Sequence, residues 1–127
     1  LLRVRLKHLD ELNEERMQIA DRYSAEITNP KLILPKAQEN ALCVWHQYVI
    51  RCEKREELIN YLEQNDIGTI IHYPIPPHLS KAYEYLGKRK GDYPIAEKYA
   101  ETVISIPMYN GMTKEEQDRV IEVLNKF

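Results

Sequence analysis

The sequence predicts an α+β domain, with three or four strands and helices packed against them in two layers. Three observations predict it. The opening segment has helical periodicity, a mid-chain run is apolar on both faces, and the closing segment starts with a capping box and continues as an amphipathic pattern. With 127 residues there is enough chain for one domain with a real core, and no internal repeat, low-complexity stretch or linker divides it.

Leu2, Leu6, Leu9, Met17, Ala20, Tyr23 and Ile27 fall mostly three or four residues apart, with a polar gap at Asn13 and Arg16. Glu11, Glu14, Glu15 and Asp21 occupy the other side, so the spacing predicts one long amphipathic helix over residues 2–27, stopped at Asn29-Pro30. Residues 31–40 follow Pro30 and contain Pro35, which predicts an irregular connection with a short extended piece at 32–34. Residues 41–51 predict a central strand. Cys43, Trp45, Gln47 and Val49 would face one way, and Leu42, Val44, His46, Tyr48 and Ile50 the other.

Residues 53–64 predict a helix that buries Leu58, Tyr61 and Leu62, with acidic residues near its positive end. Gly68 precedes a second strand at 69–73, and a proline-rich loop follows. Residues 80–86 predict a short helix ended by Gly87, and Lys88-Arg89-Lys90 an exposed basic turn. Asp92 is the expected cap of a helix with Pro94 in its first turn, running to about residue 101. Residues 103–106 predict a third strand and Asn110-Gly111 a turn. Thr113-Lys114-Glu115-Glu116 is a capping box opening a last helix, with Val120, Leu124 and Phe127 on one side and Ile121 and Val123 flanking.

Composition excludes several functions. Apolar residues make up 43% and charged residues 30%, ordinary for a globular domain. The net charge of −2 argues against a nucleic-acid footprint, and no basic block suggests an anionic membrane surface. No apolar stretch approaches a membrane span, and the first seven residues alternate basic and apolar, unlike a signal peptide. Cys43 and Cys52 lie too far apart on an extended run for a disulfide. They predict two buried, reduced thiols in a cytoplasmic protein. The chain opens without Met directly into a helical pattern, as a piece of something longer would.

Residues 69–78, Thr-Ile-Ile-His-Tyr-Pro-Ile-Pro-Pro-His, carry the clearest candidate chemistry. Three prolines stiffen a loop that leaves a β-branched run, holding His72, Tyr73 and His78 at a strand end. These imidazoles suit either a structural role or a polar contact to a ligand, most simply an anionic one. Tyr73 and Tyr83 offer hydroxyls or flat faces to the same ligand. No cysteine or acidic residue accompanies the histidines here, which argues against a metal. His46 reads as a core histidine, and His8 as solvated or at an interface. Tyr61, Tyr83, Tyr85, Tyr93, Tyr99 and Tyr109 read mostly as half-buried packing residues. Lys88-Arg89-Lys90 reads as solvated surface rather than as a phosphate site. Ser105 lacks a nucleophile-elbow setting, neither cysteine has a basic neighbour, and the four glycines are isolated. The chemistry is that of a binding or completing domain without a catalytic set of its own.

Five stretches in order resemble one family. Residues 5–10, Asn13-Glu14-Glu15-Arg16 and residues 19–23 resemble the helix that links the two domains of the DegT/DnrJ/EryC1/StrS sugar aminotransferases. Residues 68–78 resemble that family's small-domain loop. Ala82-Tyr83 with Leu86-Gly87, residues 91–97 and Ser105-Ile106-Pro107-Met108 complete the pattern.

The resemblance implies a fold-type I, pyridoxal 5′-phosphate-dependent enzyme that moves an amino group from glutamate to a keto-deoxysugar nucleotide, of the dTDP-3-keto-6-deoxyhexose kind. Such sugars go to surface polysaccharides such as lipopolysaccharide, or to natural products. It implies that this chain is the C-terminal small domain, residues 1–28 being the interdomain helix and 41–127 the sheet and helices. The Schiff-base lysine and phosphate cup would then lie in an N-terminal large domain outside this chain, and the parent would be a cytoplasmic homodimer. On this view the chain has no catalytic, cofactor-binding or metal-ligating residue and binds no cofactor alone. His72 and Tyr73, and more weakly His78 and Tyr83, contact the nucleotide sugar. A free-standing ligand-binding or regulatory α+β module, and a purely structural dimerisation piece, are the alternatives.

Overall fold

The computed structural model describes residues 2–127. Three strands, β1 (Leu32–Ile33), β2 (Tyr48–Cys52) and β3 (Val103–Ile106), form an antiparallel sheet in the order β1-β2-β3. The helices are α1 (Leu2–Leu6), α2 (Leu9–Glu26), α3 (Arg55–Glu63), α4 (Pro94–Thr102) and α5 (Lys114–Lys126). Short 3₁₀ segments cover Pro77–Leu79 and Lys81–Leu86.

The sheet's alternation sets the layers. Tyr48, Ile50 and Cys52 on β2, with Ile104 and Ile106 on β3, face a core completed by Ile19, Ala20 and Tyr23 of α2, Leu58 and Leu62 of α3, and Val120, Ile121, Val123 and Leu124 of α5. The other face carries Val49, Arg51, Val103 and Ser105, and α4 lies against part of it, with Tyr99 over Arg51. At the centre of the core Tyr23 and Tyr48 meet edge to face at 5.3 Å, and both hydroxyls are bonded, to the Pro107 carbonyl and to Ser24.

The α+β class, the central position of β2, the third strand and the last helix match expectation. Thr113 accepts from the Glu116 N–H, and the Glu116 carboxylate accepts from the Thr113 N–H, closing the capping box. Gly87 ends the 3₁₀ helix at φ +65°, a left-handed position that glycine occupies without strain.

Other expectations need correction. The opening helix is two helices. At the join, Lys7 and His8 donate to carbonyls only three residues back, and α1 buries nothing. Leu2, Leu6 and Leu9 are exposed, with no element among the described residues covering them, so periodicity there is not matched by packing. The expected strand at 41–51 begins only at Tyr48. Trp45 stands at φ +46°, and the Trp45 and His46 carbonyls accept from Arg16 instead of a neighbouring strand. His46 is consequently exposed rather than in the core, and Cys43 is half-buried, while Cys52 is buried and both thiols are free.

The expected strand at 69–73 shrinks to one bridge, Ile70 with Ser105, before the prolines turn the chain away. Asp92 does not cap α4. Its carboxylate accepts from the Arg89 N–H, and Glu97 accepts from the Gly91 and Tyr93 N–H groups in its place. Of the six tyrosines singled out, only Tyr61 is half-buried and the rest are exposed. No helix among the described residues is long and apolar enough to cross a membrane.

Candidate functional site

The site is built where the Ile70–Ser105 bridge delivers the chain to the outer face of the sheet. Two residues beyond Ile70, His72 turns its ring back over β3. Its Nδ1 lies 2.9 Å from Ser105 Oγ and its Nε2 3.2 Å from the Gln47 amide nitrogen. An amide nitrogen can only donate, so Nε2 accepts and the proton sits on Nδ1, directed at Ser105; this tautomer is assigned from the hydrogen-bond pattern. The imidazole is thus held at both nitrogens from two strands' ends. Tyr73 follows across a cis peptide, 73% exposed, its ring edge-to-face with His72 at 5.5 Å.

In front of His72 lies a cleft of about 340 Å³, bordered by Arg16, His46, Gln47, Ser105 and Met108. Arg16 gives it a fixed positive wall. Its Nε donates to Asn110 Oδ1 at 3.0 Å and its Nη1 to the His46 carbonyl at 3.0 Å. Asn110 in turn donates to the Leu12 carbonyl and to Glu15, and the Gly111 N–H donates to Glu15. Those two bonds, from Asn110 first, hold the Glu15 carboxyl below the usual carboxylate range.

The proline loop separates the predicted residues. His72 and Tyr73 stand together at the cleft. His78 instead forms a second cluster, its Nε2 3.0 Å from Glu97 Oε1 and its ring against Tyr93 at 4.8 Å. Tyr83 is 45% exposed, and its hydroxyl has no hydrogen bond among the described residues. No group of three or more His, Cys, Asp or Glu side chains among those residues could hold a metal ion.

Sequence reasoning missed Arg16, Gln47, Ser105 and Glu97 as partners. The polar gap at Asn13 and Arg16 within an otherwise apolar stripe was the one available signal. Ser105 and Glu97 lie within stretches that resemble the family, but nothing local to them or to Gln47 shows which histidine each meets, because those partners are brought in by strand pairing and loop closure.

The same architecture recurs in solved aminotransferases. DesV of Streptomyces venezuelae, crystallised in complex with a ketimine intermediate, superposes with a TM-score of 0.95 at 36% identity, over 98% of this chain and 34% of DesV. NtdA from Bacillus subtilis, with bound cofactor PMP, superposes with a TM-score of 0.77 at 30% identity, over 94% of this chain and 29% of its own. The fold is that of a small domain of a fold-type I aminotransferase. In sequence, a dTDP-3-amino-3,6-dideoxy-alpha-D-galactopyranose transaminase from Aneurinibacillus thermoaerophilus is 39% identical over 127 residues, all of this chain and 34% of the relative. The chain belongs to the DegT/DnrJ/EryC1/StrS aminotransferase family, whose model matches residues 1–125. It spans about a third of the length of the relatives it matches.

Proposed function

We propose that this chain is the C-terminal small domain of a pyridoxal phosphate-dependent nucleotide-sugar aminotransferase. In this reading it supplies one wall of a composite cleft, opposite a larger domain that holds the cofactor. The observation that carries the reading is the 0.95 TM-score to DesV over 98% of this chain and only 34% of DesV. In this reading the lysine that holds the cofactor belongs to the larger domain. Every lysine side chain is exposed to solvent, whereas a lysine poised for carbonyl chemistry is desolvated or set beside another cation in a pocket. The cofactor, when bound in the parent, supplies the electron sink for moving the amino group.

His72 and Tyr73 are the substrate-facing pair. An imidazole locked by Ser105 and Gln47, with an exposed phenol beside it, presents polar and flat apolar surface with little left to order on binding. The His72 nitrogens are already bonded within the chain, so His72 acts through its ring face and by fixing Tyr73, whose hydroxyl is free to reach a diphosphate oxygen. His78 and Tyr83 have weaker claims, His78 because Glu97 occupies it. The substrate class is a dTDP-linked 3-keto-6-deoxyhexose with glutamate as donor, in a cytoplasmic homodimeric parent serving surface polysaccharide or amino-sugar synthesis.

Mixing this chain with the remaining portion of its parent is expected to restore transamination that neither part shows alone. In the intact parent, His72→Ala and Tyr73→Phe are expected to raise the sugar-nucleotide KM more than they disturb cofactor retention. A borohydride-reducible adduct of pyridoxal phosphate with the 127-residue chain alone would contradict the reading.

A further inference from the structure

A second cavity, of about 600 Å³, opens on the outer face of the sheet, beyond the border formed by His72. Its walls are Ile33, Val49 and Val103 from the three strands, with Lys36, Arg51 and Tyr99. The strand register explains the grouping, since Ile33 and Val103 both lie opposite Arg51. The cavity therefore holds two cationic side chains, and no carboxylate lines it among the described residues.

Arg51 is the unusual member. Four arginines are half-buried: Arg16, Arg22, Arg51 and Arg55. Arg16 is bonded to Asn110 and two carbonyls, Arg22 to Glu26 and Asp118, and Arg55 to Glu56 and the Ala100 carbonyl. The Arg51 guanidinium has no hydrogen bond or ion pair among the described residues. It is held instead against the Tyr99 ring, 4.4 Å from the centroid. Stacking orients a guanidinium while leaving its edge donors free. A half-buried fork of free N–H groups fits an oxyanion, which it binds through parallel charge-assisted bonds. Lys36 likewise has no partner among the described residues, and adds a second positive charge.

We propose that this cavity is an oxyanion-binding site, in which Arg51, stacked on Tyr99, binds a phosphate or carboxylate while Ile33, Val49 and Val103 receive the apolar part of the ligand. His72 borders both this site and the first cleft, but the anion-binding Arg51 is not one of the residues lining that cleft, and its affinity for anions does not depend on the aminotransferase reading.

The test is titration of the 127-residue chain with inorganic pyrophosphate and, separately, with glutarate, followed by calorimetry and by the Arg51 Nε–H resonance. Saturable binding of at least one anion is expected, with the Arg51 resonance moving. Binding by pyrophosphate alone identifies a phosphate ligand, by glutarate alone a carboxylate, and by both a general oxyanion site. Arg51→Gln is expected to weaken binding about tenfold or more, and Arg51→Lys to weaken it less, since the charge stays and the fork is lost. Tyr99→Phe keeps the ring and retains binding, and Lys88→Gln in the exposed basic turn leaves it unchanged. Should Arg51→Gln fail to fold, Arg51→Lys carries the comparison. Absence of saturation with both anions, or equal affinities for the wild type and the Arg51 variants, overturns the proposal.

Discussion

His78 Nε2 lies 3.0 Å from Glu97 Oε1, with the two side chains only 9% and 10% exposed, and this contact clasps the end of the proline loop to the first turn of α4. The same carboxylate accepts from the Gly91 and Tyr93 N–H groups, so one side chain ties together the loop, the turn after the basic run and the helix start.

The clasp has a pH signature. Burial pushes the Glu97 carboxyl up, but the hydrogen bonds from the Gly91 N–H, His78 and the Tyr93 N–H outweigh it and leave its pKa below the usual 4.5. A carboxyl depressed in the folded state stabilises above its unfolded pKa, and that stability is lost as pH falls through the folded value. Glu97→Gln is expected to lower the Tm at pH 7 and to flatten the acid side of the Tm-versus-pH curve from about pH 4.5 downward. The Gly91 and Tyr93 amides should also exchange about tenfold faster in the variant. A variant with wild-type stability at pH 7 would show that the clasp contributes nothing.

The His72–Ser105 bond predicts coupling between the two residues. Ser105→Ala removes the acceptor for the Nδ1 proton and leaves the ring tethered by Gln47 alone. On the proposed function, the sugar-nucleotide KM of the intact parent should rise about threefold to tenfold, in line with the worth of one hydrogen bond. Adding Ser105→Ala to His72→Ala should have little further effect, because the serine acts through the histidine. Additive losses would separate them.

Core and surface leucines should behave oppositely in the isolated chain. Leu58 is fully buried, and Leu58→Ala is expected to cost about 2–5 kcal/mol. Leu6 is 67% exposed on α1, and Leu6→Ala should change stability by no more than about 0.5 kcal/mol. Urea unfolding of both variants checks the contrast.

Thr113→Ala opens the capping box of α5 and leaves the Glu116 N–H without its side-chain acceptor. A loss of about 1 kcal/mol is expected, read as a shift in the urea midpoint with the slope unchanged. Thr113→Ser, which keeps the hydroxyl, should recover most of it.

Features that depend on near neighbours were legible in the sequence. The capping box of α5, the glycine stop after Leu86, Pro94 in the first turn of α4 and the apolar stripes of α3 and α5 all rest on groups within a few residues of one another. The placing of His72 beside Tyr73 on a stiff loop at the end of an extended run was legible for the same reason. Five motifs in order also carried the family. Where the reading overreached, a periodic pattern had no surface to meet, as at Leu2 and Leu6, or long-range bonds claimed the backbone, as at Trp45 and His46.

By itself, then, the sequence determined the α+β class, the third strand, the last helix and the family. Only the tertiary structure decided that His72 belongs with Ser105 and Gln47, that His78 belongs with Glu97, and that Arg51 rests on Tyr99 with its donors free. The reason is physical. Turns, caps and amphipathic faces are written in residues close along the chain, but these pairs are separated by 19 to 48 residues and meet only through the closure of the proline loop, the strand register and the packing of α4 on the sheet.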